Sequence, residues 1–145
     1  MKLKDEVLLH GDFDIRILKA GREIEHYKDH NMIMATARDA LARLVGGDGT
    51  GKTVTQIGVG TNGDGPSPDD TGLTSPYKKN ISGRTYPATG EVCFSWVIGV
   101  GEANGKTIRE FGLLCGDGTL FARRTRGAIE KADDIEIRGT WTIKF

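Results

Sequence analysis

Two periods divide the chain. Over residues 12–18, DFDIRIL, Phe13, Ile15 and Ile17 alternate with Asp12, Asp14 and Arg16, the two-residue period of a half-buried strand. Lys19-Ala20-Gly21-Arg22 is turn-like, and Ile24 and Tyr27 follow in REIEHYKD, so a β-hairpin is predicted over 12–28. From residue 31 the period lengthens. Ile33, Ala37, Ala40, Leu41 and Leu44 recur at three- and four-residue spacing, which predicts an amphipathic helix over about 32–45. Asp29 and Asn31 are the candidate N-caps, and Gly46-Gly47 ends the helix.

Strand periodicity returns at Val54–Val59 and at Tyr77–Ile81. EVCFSWVIGV (91–100) is the longest apolar run, and because both alternating sets are mostly apolar it predicts a strand buried on both faces. Residues 107–124, TIREFGLLCGDGTLFARR, organise the rest. Two apolar runs flank Gly116-Asp117-Gly118, a hairpin signal in which both glycines offer positive φ. Alternation puts Arg109, Glu110, Arg123, Arg124 and Arg126 on the non-core face or at an exposed edge. The final alternation, Ile135, Ile137, Trp141, Ile143 and Phe145, predicts a strand inside the sheet. Residues 60–76 and 83–90 lack periodicity and read as surface loops. The fold expected is mainly β: an antiparallel sandwich of short strands with one packed helix, in a single domain 1–145. Residues 1–11, with the apolar run EVLLH at 6–10, form a candidate N-terminal arm.

Composition adds little beyond exclusions. Lys+Arg and Asp+Glu both total 20 in 145 residues, so no excess positive charge points to nucleic acid. A net charge of zero suits life within an assembly. The two cysteines, Cys93 and Cys115, read as small buried hydrophobes in the absence of any metal-binding spacing. No apolar run has the length of a signal peptide or a membrane helix, so a soluble protein made in the cytoplasm is expected.

Four patterns carry candidate chemistry. Gly46–Thr53 satisfies G-x-x-x-x-G-K-[ST], but a phosphate-cradling loop leaves a strand and opens a helix, whereas here a helix precedes and a strand follows. A flexible glycine-rich connection is the better reading, and no cofactor is expected. Asn62, Asp64, Asp69 and Asp70 offer oxygen ligands, but their spacing fits no EF-hand and Pro66 and Pro68 split them, so solvated loop charges are expected. His26 and His30 flank Asp29 at a strand end, without metal spacing. Cys93 and Ser95 sit mid-strand with no base in reach, and no carboxylate pair stands out among Glu102, Glu110 and Glu130; no enzyme is expected. Arg109, Arg123, Arg124 and Arg126 cluster at the organising hairpin. A solvated strand face and an interface with acidic groups of a neighbour stand side by side as readings. With Asp69 and Asp70 they are the interface candidates.

Three segments carry a resemblance: NMIMATARDALARLVGG at 31–47, TQIGVGTNGDGPSPDDTGLTSPYKKNI at 55–81, and ANGKTIREFGLLCGDGTLFARR at 103–124. Together they resemble the tail-fibre or tail-collar-fibre-like structural proteins of tailed bacteriophages, whose members carry an "IrE-[FIL]-GLf…dGtLfaR" pattern. Cys115 stands where an apolar or aromatic residue is usual, and the long receptor-binding C-terminal extension is lacking. The resemblance implies a non-enzymatic virion component of the tail, collar or baseplate. It would be an oligomer or one of several subunits, its partners being other virion proteins rather than nucleic acid or membrane. A receptor- or carbohydrate-binding module using the 60–76 and 83–90 loops is the alternative. Against it, Trp96 and Trp141 fall on core-facing positions, leaving Tyr77 and Tyr86 as loop aromatics.

Overall fold

The alternating segments pair antiparallel into two sheets in the computed structural model, which describes residues 9–145. In chain order the elements are β1 (His10–Lys19), β2 (Arg22–Met32), α1 (Ala35–Val45), β3 (Val54–Gly60), β4 (Tyr77–Asn80), β5 (Gly83–Thr85), β6 (Glu91–Ile98), β7 (Thr107–Cys115), β8 (Leu120–Glu130) and β9 (Ile135–Lys144). One sheet has the order β2-β1-β9-β6-β5 and the other β4-β3-β7-β8. The mainly β sandwich with one short helix is therefore as expected. Most of the expected arm at 1–11 and of the apolar run at 6–10 lies outside the described residues, but His10 and Gly11 already belong to β1.

Between the sheets the apolar sets interdigitate. Phe13 sits at the centre, its ring centroid 4.7 Å from Trp141 and 5.1 Å from Phe111 of the opposite sheet. Trp96 pairs across the ladder with Gly139 and fills the space above it: a Cβ at Gly139 would stand 2.1 Å from the indole. Both tryptophans are buried, as their strand positions require. β6 differs from expectation. Phe94, Trp96 and Ile98 are buried, but Cys93, Ser95 and Val97 on the opposite face are only half-buried, because among the described residues no helix or strand is layered over the five-stranded sheet there. The loop at 83–90 also contains an element not foreseen, β5, too short for a period to register.

Edge strands expose unpaired backbone groups, and here both open sides of the sandwich are bridged. On one side the chain passes from β4 to β5 through Ile81 and Ser82, whose amides donate to Thr55 of one sheet (2.9 Å) and Ser95 of the other (2.9 Å). On the other side β2 runs past β8, with Ile33 forming a bridge to Ala122 and the Met34 amide donating to Phe121 O at 3.2 Å.

That bridge corrects the helix start. Residues 32–34 are extended and α1 opens at Ala35. Neither expected cap serves: Asn31 accepts from Trp141 Nε1 at 2.8 Å, and Asp29 pairs with Arg124. Met34 takes the N-cap position without a side-chain bond, and the Ala35 amide donates instead to Pro68 O at 2.9 Å. Gly46 and Gly47 end the helix as expected, Gly47 at φ +81°. Ala37 and Ala40 bury the helix against the sheet, while Leu41 is half-buried and Leu44 is exposed.

Candidate interaction site

Arg123 was expected on an exposed face, yet it is 2% exposed and its neighbour Glu110 is 0% exposed. The outward face of the four-stranded sheet explains this. Gly58 pairs with Gly112 across β3 and β7, and Gly60 pairs with Glu110, so a lane without side chains runs over the sheet. The 61–76 segment lies in that lane. Leu73 descends onto Met34, Leu114 and Leu120 as a small second core, and a Cβ at Gly58 would stand 2.6 Å from its Cδ1. Glu110 accepts from the Asn62 amide (3.0 Å), the Thr74 amide (2.8 Å) and Arg123 Nε (2.8 Å). Arg123 donates further to Asp70 (3.0 Å) and to Asn62 O (3.0 Å). A buried charge is tolerable only when paired and hydrogen-bonded, and both ends of this pair are. The loop is thus latched at its two ends and middle, not solvated along its length.

The remaining interface candidates separate. Arg124 donates to His30 O (2.8 Å), to Tyr27 Oη (3.0 Å) and to Asp29; Arg126 meets Glu25 at 2.5 Å and lies 5.1 Å from the Tyr27 ring centroid. Both are on β8 and their side-chain acceptors are all on β2, Arg126 Nε also donating to the neighbouring Gly127 O (2.8 Å), so these arginines tie the two edges together within the chain. Asp70 belongs to the latch. Asp69 is exposed, and Arg109 is exposed beside the loop, Nη1 lying 3.5 Å from Thr61 O. Of the six candidates, the structure engages Arg123, Arg124, Arg126 and Asp70 with charged partners in the same chain.

The glycine-rich connection is also pinned rather than flexible. Gly51 and Thr53 carbonyls accept from the Asp117 and Gly116 amides (3.0 and 3.1 Å), and Lys52 Nζ meets Asp117 at 2.7 Å and Thr119 at 3.1 Å. These Lys52 and Thr119 bonds hold the Asp117 carboxyl far below the ordinary carboxylate range. Of the two turn glycines only Gly118 has positive φ, at +91°. Burial, with Asp117 adding its charge, pushes the Cys115 thiol up to about 11, so it stays protonated; its partner in sequence, Cys93, lies in the other sheet, and both are free. His26 and His30 hydrogen-bond Asp14 (2.8 Å) and Asp12 (2.6 Å) along β1 and β2. No group of three or more metal-ligating side chains is gathered among the described residues.

At one end the sandwich is open. Phe94, Phe121 and Ile143, from both sheets, reach a mouth of about 610 Å³ rimmed by Leu44, Tyr86 and Phe145. These rim residues are 37%, 76% and 46% exposed, and Val45 beside them is 90% exposed. Scattered exposed apolar residues are ordinary, but here they gather around one concavity, the mark of a contact surface. Arg84 stands at the rim, donating to Val54 O at 2.7 Å.

Sequence reading missed the latch and the mouth. The signal for the latch was present: two glycines at i and i+2 in IGVG, facing E-x-G in REFG, denote a strand face that something covers. The mouth had no such signal, since it depends on which strand ends finish together. No protein-family model, no curated protein and no solved structure matches the chain.

Proposed function

We propose that this chain is a non-enzymatic structural component of a phage virion, in the tail, collar or baseplate, joining or supporting tail fibres through protein–protein contacts. The observation that carries the reading is the work given to the residues behind the resemblance. Glu110, Gly112 and Arg123 of the REFGLLCGDGTLFARR segment latch a loop, and Gly58 and Gly60 of IGVG make room for it. A pattern whose polar members are occupied with architecture belongs to a protein selected for shape. Bridged sheet edges add to this, because they leave contacts to be made by chosen surfaces rather than by open strands.

The 83–90 loop gives the receptor-binding alternative one point of support, the exposed Tyr86 beside an apolar mouth. The 60–76 loop gives it less, being held down on the sheet.

Mass spectrometry of purified particles, followed by a particle map, tests the virion reading. The expected result is a stoichiometric band and density for the sandwich at the tail, contacting neighbours over about 1,600 Å² in total. Absence of the chain from purified particles overturns it.

A further inference from the structure

We propose that the mouth of the sandwich binds a single-chain aliphatic carboxylate, a fatty acid, with the acyl chain between the sheets and the carboxylate on Arg84; the proposal is independent of the virion reading.

Charge is the first argument. Arg84 pairs with the buried Phe94 across β5 and β6, so it lies on the core-facing side of its strand. Its Nη2 donates to Val54 O of the opposite sheet at 2.7 Å, which fixes the guanidinium at the opening. Arg123, Arg124 and Arg126 each meet a carboxylate of the chain, whereas Arg84 meets none among the described residues. The other charges around the mouth are balanced already. Lys52 Nζ stands 2.7 Å from Asp117. Glu91 is opposite Lys144 in the ladder, and alternation turns both to the outward face while Val92 and Phe94 turn inward. What remains is one cation with N–H donors to spare, facing an apolar cavity. It selects a monoanion, and the guanidinium fork matches the two oxygens of a carboxylate.

The lining is the second argument. Phe94, Phe121 and Ile143 form the floor, none more than 6% exposed, and the exposed Leu44, Tyr86 and Phe145 form the rim. A hydroxyl or amide inserted among these side chains loses its water without a replacement partner, which disfavours a sugar or a nucleotide and suits a plain hydrocarbon. The cavity of about 610 Å³ lies in the range, roughly 300–1,000 Å³, of pockets that take a small ligand whole. It opens between two sheets, and facing sheets pack about 10 Å apart, so a linear chain enters end-on and lies in a single layer.

The test uses the full chain and dodecanoate below its micelle concentration, followed by titration calorimetry and thermal unfolding. The expected result is one saturable site and a raised melting temperature. Arg84→Gln should bind about tenfold more weakly, the worth of a charge-assisted hydrogen bond. Arg22→Gln, an exposed arginine at the far end of the β1 ladder, should bind as the parent does. Leu44→Asp and Tyr86→Asp, both at exposed rim positions, should each weaken binding several-fold, and dodecyltrimethylammonium, with the same chain and the opposite charge, should bind far more weakly than dodecanoate. Absence of binding overturns the proposal, as do equal binding of the cationic amphiphile and an unchanged affinity in Arg84→Gln. Unsaturable uptake with a falling melting temperature shows a denaturing surfactant only and overturns it too. Sedimentation tests the other occupant: a dimer that takes up no dodecanoate and that Leu44→Asp dissociates makes a second copy the occupant and overturns the proposal.

Discussion

Glu110 and Arg123 are the residues whose removal has the sharpest consequences. Truncating one member of a buried ion pair leaves the other charged and unpartnered, at a cost of about 3–5 kcal/mol. Glu110→Ala is expected to lose that much in denaturant unfolding and to admit protease cleavage within 61–76. Replacing the pair together, Glu110→Leu with Arg123→Met, should recover most of the stability but not the protection of the loop, because Asn62 and Thr74 lose their acceptor. Glycines differ in the same way. At Gly139 the obstacle is a rigid indole 2.1 Å away, whereas at Gly58 it is the mobile end of Leu73 at 2.6 Å. Gly139→Ala is expected to cost several times more than Gly58→Ala, and chemical denaturation of the two variants measures the ratio. A Gly139→Ala protein as stable as Gly58→Ala contradicts the packing described.

At the scale of elements, what the sequence showed depended on whether a neighbour intervened. The hairpins at 12–28 and 107–124 were legible because alternation and turn chemistry are local, and both formed with only their ends extended. The start of α1 was not legible. Ile33 continues the helical stripe in sequence, but the edge of β8 captures it as an extended bridge. Arg123 and Glu110 obeyed alternation and pointed away from the sandwich core, yet a segment whose contacts lie 36 to 61 residues earlier covers them, which no local period records. For α1 the buried surface consists of Ala37 and Ala40, so Ala40→Asp is expected to cost about 3 kcal/mol or more by placing a charge in the helix–sheet contact, and Leu41→Asp clearly less. Thermal unfolding of the two variants ranks them.

The 99–106 turn supplies a pH dependence at the same scale. Burial alone raises the Glu102 pKa, but bonds from Lys79 (2.5 Å), Tyr77 (2.5 Å) and the Gly99 amide (2.9 Å) bring it down to about 2. A depressed carboxyl contributes stability that is complete above its unfolded value, near 4.5, and is lost as pH falls toward about 2. Glu102→Gln is therefore expected to be less stable than the parent at pH 6, with the gap narrowing between pH 4.5 and 2. A gap that stays constant through that window assigns the effect to packing instead.

At the scale of the whole molecule, the central position of β9 governs how the chain can come together. β9 lies between β1 and β6, and its pairing with β1 joins Phe13 to Trp141, residues more than 120 positions apart. During synthesis the four-stranded sheet, complete once β8 has emerged, can assemble first. The five-stranded sheet has to wait: β1 and β2 form a hairpin early, β5 and β6 another, and the gap between them stays open until the last strand leaves the ribosome. Closing so long a loop makes folding slow by topology, with a half-finished sheet exposing two strand edges in the interval. Released chains truncated before residue 135 should thus remain protease-sensitive in β1 while β7 and β8 are already protected. That interval is when neighbouring chains can pair with each other by mistake, and the time β9 takes to emerge, more than the stability of the finished sandwich, sets how long those edges stay open.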